Sequence, residues 1–147
     1  MKTIITAILL AFIALNVHAQ DKSFRSDKLS KAWETSNVLL TPESVCYNPA
    51  ANMLFVSNIN GKPTEKDGNG FISLLSLDGK VTELRWVSGL NAPKGMGIFD
   101  GKLYVTDIDR VAKIDIKSRT IEKFYAFPEA QFLNDIAIDH NGSVYIS

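Results

Sequence analysis

Glu43 and Asn134 carry the oxygens that suit a hard cation, a carboxylate in one case and an amide carbonyl in the other. Ca²⁺ takes its ligands from groups of this kind. They are the candidate metal ligands. Asn58, Asn60, Lys94, Asp107 and Asp135 stand at comparable places in the strand pattern and are the candidate substrate contacts. Taken singly, polar residues of these types more commonly cap turns and strand ends. Lys94 is the odd member, because a cation beside a Ca²⁺ site repels the ion. It reads as a solvated lysine at the mouth of a channel or as a contact for an anionic group. Asp67-Gly68-Asn69-Gly70 opens like a calcium loop. Its sixth position is Ile72 where glycine is required, and its twelfth is Asp78 where glutamate is usual. It reads as a turn-rich loop over the mouth.

Other chemistries find little material. His18 lies in a leader-like segment, which leaves His140 as the only other histidine. No Gly-x-Ser-x-Gly elbow is present for a serine nucleophile. Cys46 is the single cysteine, so no intramolecular disulfide can form, and its apolar surroundings predict a small buried side chain.

The elements that position these residues are short strands. Ser44–Tyr47, Met53–Ser57, Phe71–Leu77 and Val81–Val87 form a first group, with a polar, Gly-rich stretch from Asn58 to Gly70 and a hairpin signal at Asp78-Gly79. The pattern restarts at Gly95–Phe99, turns at Asp100-Gly101, and continues through Leu103–Thr106, Val111–Ile116 and Thr120–Tyr125. It starts a third time at Asp135–Asp139, turns at His140-Asn141-Gly142, and continues into Val144–Ser147. No amphipathic helix is expected after the leader. The segments Leu54–Ser57, Leu103–Thr106 and Val144–Ser147 each follow the same turn. They recur at intervals of about 40–50 residues, with about four strands per interval, the signature of β-propeller blades. Second strands lack alternation because neighbouring blades cover both of their faces. In antiparallel pairs the start of the first strand and the end of the second share an edge. That geometry predicts one face for Glu43, Lys94, Asn134 and Asp135 together with Asn58, Asn60 and Asp107.

The first nineteen residues read as a cleavable export signal. Lys2 is followed by an apolar run from Ile4 to Leu15 that is short for a bilayer, and Val17-His18-Ala19 precedes the cut. Residues 20–31 read as a flexible lead-in, and residues 32–147 as a partial propeller domain. No membrane span is expected after cleavage, and the location is periplasmic or extracellular. Lysine plus arginine equals aspartate plus glutamate at 16 each, so charge gives no reason to expect nucleic acid as a partner. Two full blades and half of a third cannot close a ring, and the strand-like stretch 32–40 has no blade of its own. The chain therefore reads as an N-terminal fragment of about two and a half blades.

The stretches LLTPESVCYNPAANMLFVSNING, LNAPKGMGIFDGKLYVTDIDRVAKID and FLNDIAIDHNGSVYIS resemble the senescence marker protein and gluconolactonase (regucalcin-like) family. The resemblance runs from about Thr41 onward. It implies an all-β, six-bladed β-propeller with a divalent metal, usually calcium, at the channel mouth. It assigns the first metal ligand to Glu43 and a metal or substrate contact to Asn134-Asp135. The family's remaining ligands and its acid-base aspartate have no counterpart in these residues. For a full-length relative the implied activity is metal-assisted hydrolysis of lactones or related esters, with a small molecule as substrate. For the fragment alone it implies inactivity. The alternative is a non-catalytic propeller that binds a ligand or a protein through one face. The oligomeric state is left open by the sequence.

Overall fold

The computed structural model describes residues 29–147. The chain divides into two compact units, Met1–Ala32 and Trp33–Ser147, and the architecture below is that of the second. The export signal (1–19) and residues 20–28 of the lead-in lie outside the described residues.

The fold is all-β, with no helix among the described residues. Strands β1 (Pro42–Asn48), β2 (Met53–Asn58), β3 (Gly70–Ser76) and β4 (Val81–Leu90) form an antiparallel sheet in sequence order. A second such sheet contains β5 (Pro93–Phe99), β6 (Lys102–Asp107), β7 (Arg110–Asp115) and β8 (Thr120–Ala126). Strands β9 (Ile136–Ile138) and β10 (Val144–Ile146) form a hairpin.

Turn chemistry sets these boundaries. Asp100 and Gly101 join the paired residues Phe99 and Lys102, and both have positive φ, 45° and 69°. That is the type I′ geometry whose twist matches a hairpin. Gly79, at φ 81°, closes the β3–β4 hairpin beneath the Trp33 ring. A Cβ there would lie 2.2 Å from Trp33 Cε3, so only glycine admits both the turn and the ring.

The two sheets share one register. Pro42 pairs with Asn58 and Pro93 with Asp107, and each pairing is followed by a bulge before Val45 meets Val56 and Met96 meets Val105. In the hairpin Ile136 pairs with Ile146, and both Asn134 and Asp135 exchange backbone bonds with Ser147. Val45, Met96 and Ile136 are therefore equivalent, as are Glu43, Lys94 and Asn134 two residues earlier.

The core lies between the sheets. Phe55, Ile72, Trp86, Val87 and Leu90 of the first pack with Leu103, Val105, Ala112 and Ile114 of the second. The Phe55 and Trp86 rings lie 4.5 Å apart at a tilt of 39°. Both faces of β2 are buried from Phe55 to Asn58, as apolar residues without alternation require, while β8 is largely exposed. Half-buried Cys46 packs against this core, and its burial pushes the thiol pKa up.

One expectation is corrected. The strand-like stretch 32–40 forms no strand. Its ties include the Thr35 hydroxyl, which donates to Gly79 O, and Leu40, whose N donates to the Asn58 side chain and whose O accepts from Asn60 N.

Candidate functional site

The site is the edge of the sheets where β1, β5 and β9 begin. Two repeated four-residue segments build it, Ser57-Asn58-Ile59-Asn60 and Thr106-Asp107-Ile108-Asp109. Their isoleucines are buried and cluster with Ala92. Their second residues act as latches on the chain that feeds the first strand of their own sheet. Asn58 Oδ1 accepts from Leu40 N at 3.0 Å, and its Nδ2 donates to Val56 O and Ser73 Oγ. Asp107 does the same work with a charge. Its carboxylate accepts from Asn91 N and Ala92 N at 3.0 and 2.8 Å, and from Arg110 Nε at 2.9 Å. Both side chains are fully buried. Asn58 and Asp107 were expected to contact substrate. Their polar atoms are engaged by the protein's own backbone, with Ser73 and Arg110 completing the set.

Lys94 departs from the sequence expectation of a solvated lysine. It is 1% exposed. Its Nζ donates to Pro63 O and Ala92 O, both at 3.1 Å, and lies 4.4 Å from the centre of the Phe132 ring. Two carbonyls and an aromatic face make a cage for an ammonium. Burial pushes the Lys94 pKa down, opposed by the charges of Asp107 and Glu43. The bond to Pro63 also fastens the 59–69 loop over this edge. The same loop is held by Lys66 to Asp109 at 2.6 Å and by Gly68 N to Asn91 Oδ1 at 3.1 Å. Asn60 lies inside the loop closure, at φ 56°, and donates its Nδ2 to Asn69 O.

Glu43 is exposed, and its carboxylate makes no hydrogen bond among the described residues. Asn134 is half-buried. Its backbone carbonyl accepts from Gly95 N at 2.8 Å and Thr106 Oγ1 at 2.6 Å, which seats the hairpin on the second sheet. Its side-chain amide has no hydrogen bond among the described residues. Asp135 is exposed, with its backbone carbonyl paired to Ser147 N. Register thus brings Glu43, Lys94 and Asn134 to equivalent places, and two of the three offer uncommitted oxygens.

The oxygens of Glu43 and Asn134 have the right chemistry for Ca²⁺ but are few against the roughly 6–8 ligands the ion takes. No cluster of three or more His, Cys, Asp or Glu side chains in metal-binding reach occurs among the described residues. The latches were readable in principle, since Asn58 and Asp107 close the same motif in both repeats. The cage around Lys94 had no sequence signal, because its walls are a loop carbonyl and a ring from distant segments. No protein-family model and no curated protein matches this chain.

Proposed function

We propose that the two meander sheets and the hairpin are successive blades of an exported, six-bladed β-propeller of the gluconolactonase-like kind. In this reading the chain supplies about two and a half blades, and the rim at Glu43, Lys94 and Asn134 is one side of a channel mouth that binds a small molecule. The observation that supports it is the shared register, which puts one rim residue from each of three successive units at an equivalent position. Further support comes from second strands buried on both faces, as blades flanked by blades require.

Glu43 and Asn134 would hold a divalent cation, Ca²⁺ by the chemistry of their oxygens. When bound, such an ion supplies Lewis-acid polarisation of a lactone or ester carbonyl. This chain's own contribution is to fix Glu43 behind the Pro42 bulge and Asn134 through its gripped carbonyl. Asp135 and Asn60 flank the mouth, and the 59–69 loop limits solvent beside it. Hydrolysis belongs to a closed ring that carries the remaining ligands and an acid-base carboxylate.

A second reading, a non-catalytic binding module, is favoured by the Lys94 cage, which puts a resident cation one unit from Glu43.

Calorimetric titration with Ca²⁺ tests the metal-binding part on this chain. The expected result is weak one-to-one binding that Glu43→Gln measurably weakens. Binding unchanged in that variant contradicts the assignment. Lactone turnover by a closed ring, lost with Glu43→Gln, separates the hydrolase from the binding module.

A further inference from the structure

Strands β2 and β3 are joined by a long strap where a short hairpin turn would serve. Asn58 pairs with Phe71, and just beyond that pair Asn60 Nδ2 donates to Asn69 O at 3.1 Å, so the two ends of the strap already meet. The root is fixed. Ile59 is buried with Ala92 and Ile108, and the Ile59 and Asn60 amides donate to Thr41 O and Leu40 O, on the chain that leads to Glu43. The span Gly61–Gly68 (GKPTEKDG) is different, because Pro63 is its only apolar residue. It is held to the second sheet and its entry by polar ties: Lys94 to Pro63 O, Lys66 to Asp109, and Gly68 N to Asn91 Oδ1. The Lys66–Asp109 pair is open to solvent, and pairs of that kind are weak and screened by salt. Closure also has costs. The buried Lys94 ammonium is met by two neutral carbonyls and a ring rather than by a carboxylate. At the end of the strap, Asn69 Oδ1 is buried without a hydrogen-bond partner. Weak polar ties and few apolar contacts are the marks of a segment that opens locally. Two carboxylates act on the Lys94 charge, Asp107 and Glu43. Asp107 is committed to Asn91, Ala92 and Arg110, whereas Glu43 is uncommitted and holds on β1 the place that Lys94 holds on β5, which packs beside it.

We propose that the strap is a lid that controls cation binding at Glu43 by way of Lys94. Closed, it cages the ammonium on Pro63 O and leaves the Glu43 carboxylate free for a divalent cation. Open, it releases the ammonium, which pairs with Glu43 and competes with the cation there. This rests on the rim reading above, which makes Glu43 a cation ligand. A cation at Glu43 in turn favours the closed lid, because it binds that arrangement better than the open one.

The test replaces Gly61–Gly68 by a Gly-Gly link, which turns β2–β3 into a short hairpin and removes the lid. The charges of Lys62, Glu65, Lys66 and Asp67 cancel, so excision leaves the net charge unchanged. Calorimetric titration with Ca²⁺ is expected to show affinity lowered about two- to fivefold, the range of an ion pair at a surface. In a Lys94→Met background the affinities with and without the lid are expected to agree. Affinity that excision leaves unchanged or raises overturns the proposal, as does an equal loss in the Lys94→Met background. If the excised chain fails to fold by circular dichroism, Lys66→Ala decides. It cuts one solvent-exposed tie, and it removes a positive charge, which by itself favours a cation. Lower calcium affinity together with faster amide exchange at Gly68 supports the lid. Unchanged or higher affinity, or unchanged exchange, overturns it. Calcium that binds through Glu43 and ignores the strap removes this control and leaves the rim reading standing, whereas a chain that takes up no calcium removes both.

Discussion

Asp107 and Asn58 occupy one position in two repeats and solve one problem, which is to hold the chain entering the first strand of their own sheet. The charged version is the stronger latch and the more fragile one. Asp107→Ala leaves the Asn91 and Ala92 amides without an acceptor and Arg110 without its partner. The expected loss is about 3 kcal/mol, the low end for breaking a buried pair, because Arg110 keeps part of its surface in solvent. Urea unfolding measures it, and Asp107→Asn, which retains an acceptor oxygen, is expected to lose less. Lys94 is the other buried charge at this edge. Its ammonium competes with any metal ion for the field of Glu43. Lys94→Met is therefore expected to raise Ca²⁺ affinity by up to about tenfold, read by calorimetry. An unchanged or lower affinity would separate Lys94 from the ion site.

Strand pairs were legible because two signals agree in them, apolar patterning and turn residues with positive φ. Asp100-Gly101 and Asp78-Gly79 end strands where the sequence says they should. The stretch 32–40 carried the patterning but joins no ladder, and a strand exists only in a ladder. Burial of Lys94 was illegible for a related reason, since a lysine beside Gly95 looks solvated until Pro63 and Phe132 close over it. Gly95 itself is a close-approach position: a Cβ there would lie 2.6 Å from Asn134 O. Gly95→Ala is expected to unseat the hairpin from the second sheet at a cost of about 1–3 kcal/mol. Amide exchange at Ile136–Ile138 should rise while β6 stays protected. The second sheet also carries an acid-sensitive tie. The Lys102 ammonium, 2.5 Å from Asp115 and 2.6 Å from Glu122, holds both carboxyls below their usual range. Carboxyls depressed in the folded state contribute stability above the unfolded values, about pH 4, and that contribution is lost as pH falls through the folded values. Acid titration of the sheet by circular dichroism should therefore be shallower in Lys102→Met.

Among the described residues, Trp33–Ser147 form two meander sheets and a hairpin stacked with one polarity, with a core buried between the sheets. That arrangement supports reading the units as blades, with Glu43, Lys94 and Asn134 at equivalent places along one edge. The repeat was visible in sequence through recurring turns. The shared edge of Glu43, Lys94 and Asn134 was visible too, through antiparallel pairing, whereas the two bulges after Pro42 and Pro93 had no sequence signal. If Glu43 and Asn134 serve one ion, their effects on its binding must be coupled. Calcium titration of Glu43→Gln, Asn134→Ala and the double variant measures that coupling. The expected result is a coupling energy of about 0.5–3 kcal/mol between the two positions. Losses that add to within about 0.5 kcal/mol, or a chain that takes up no calcium, would contradict a shared rim site.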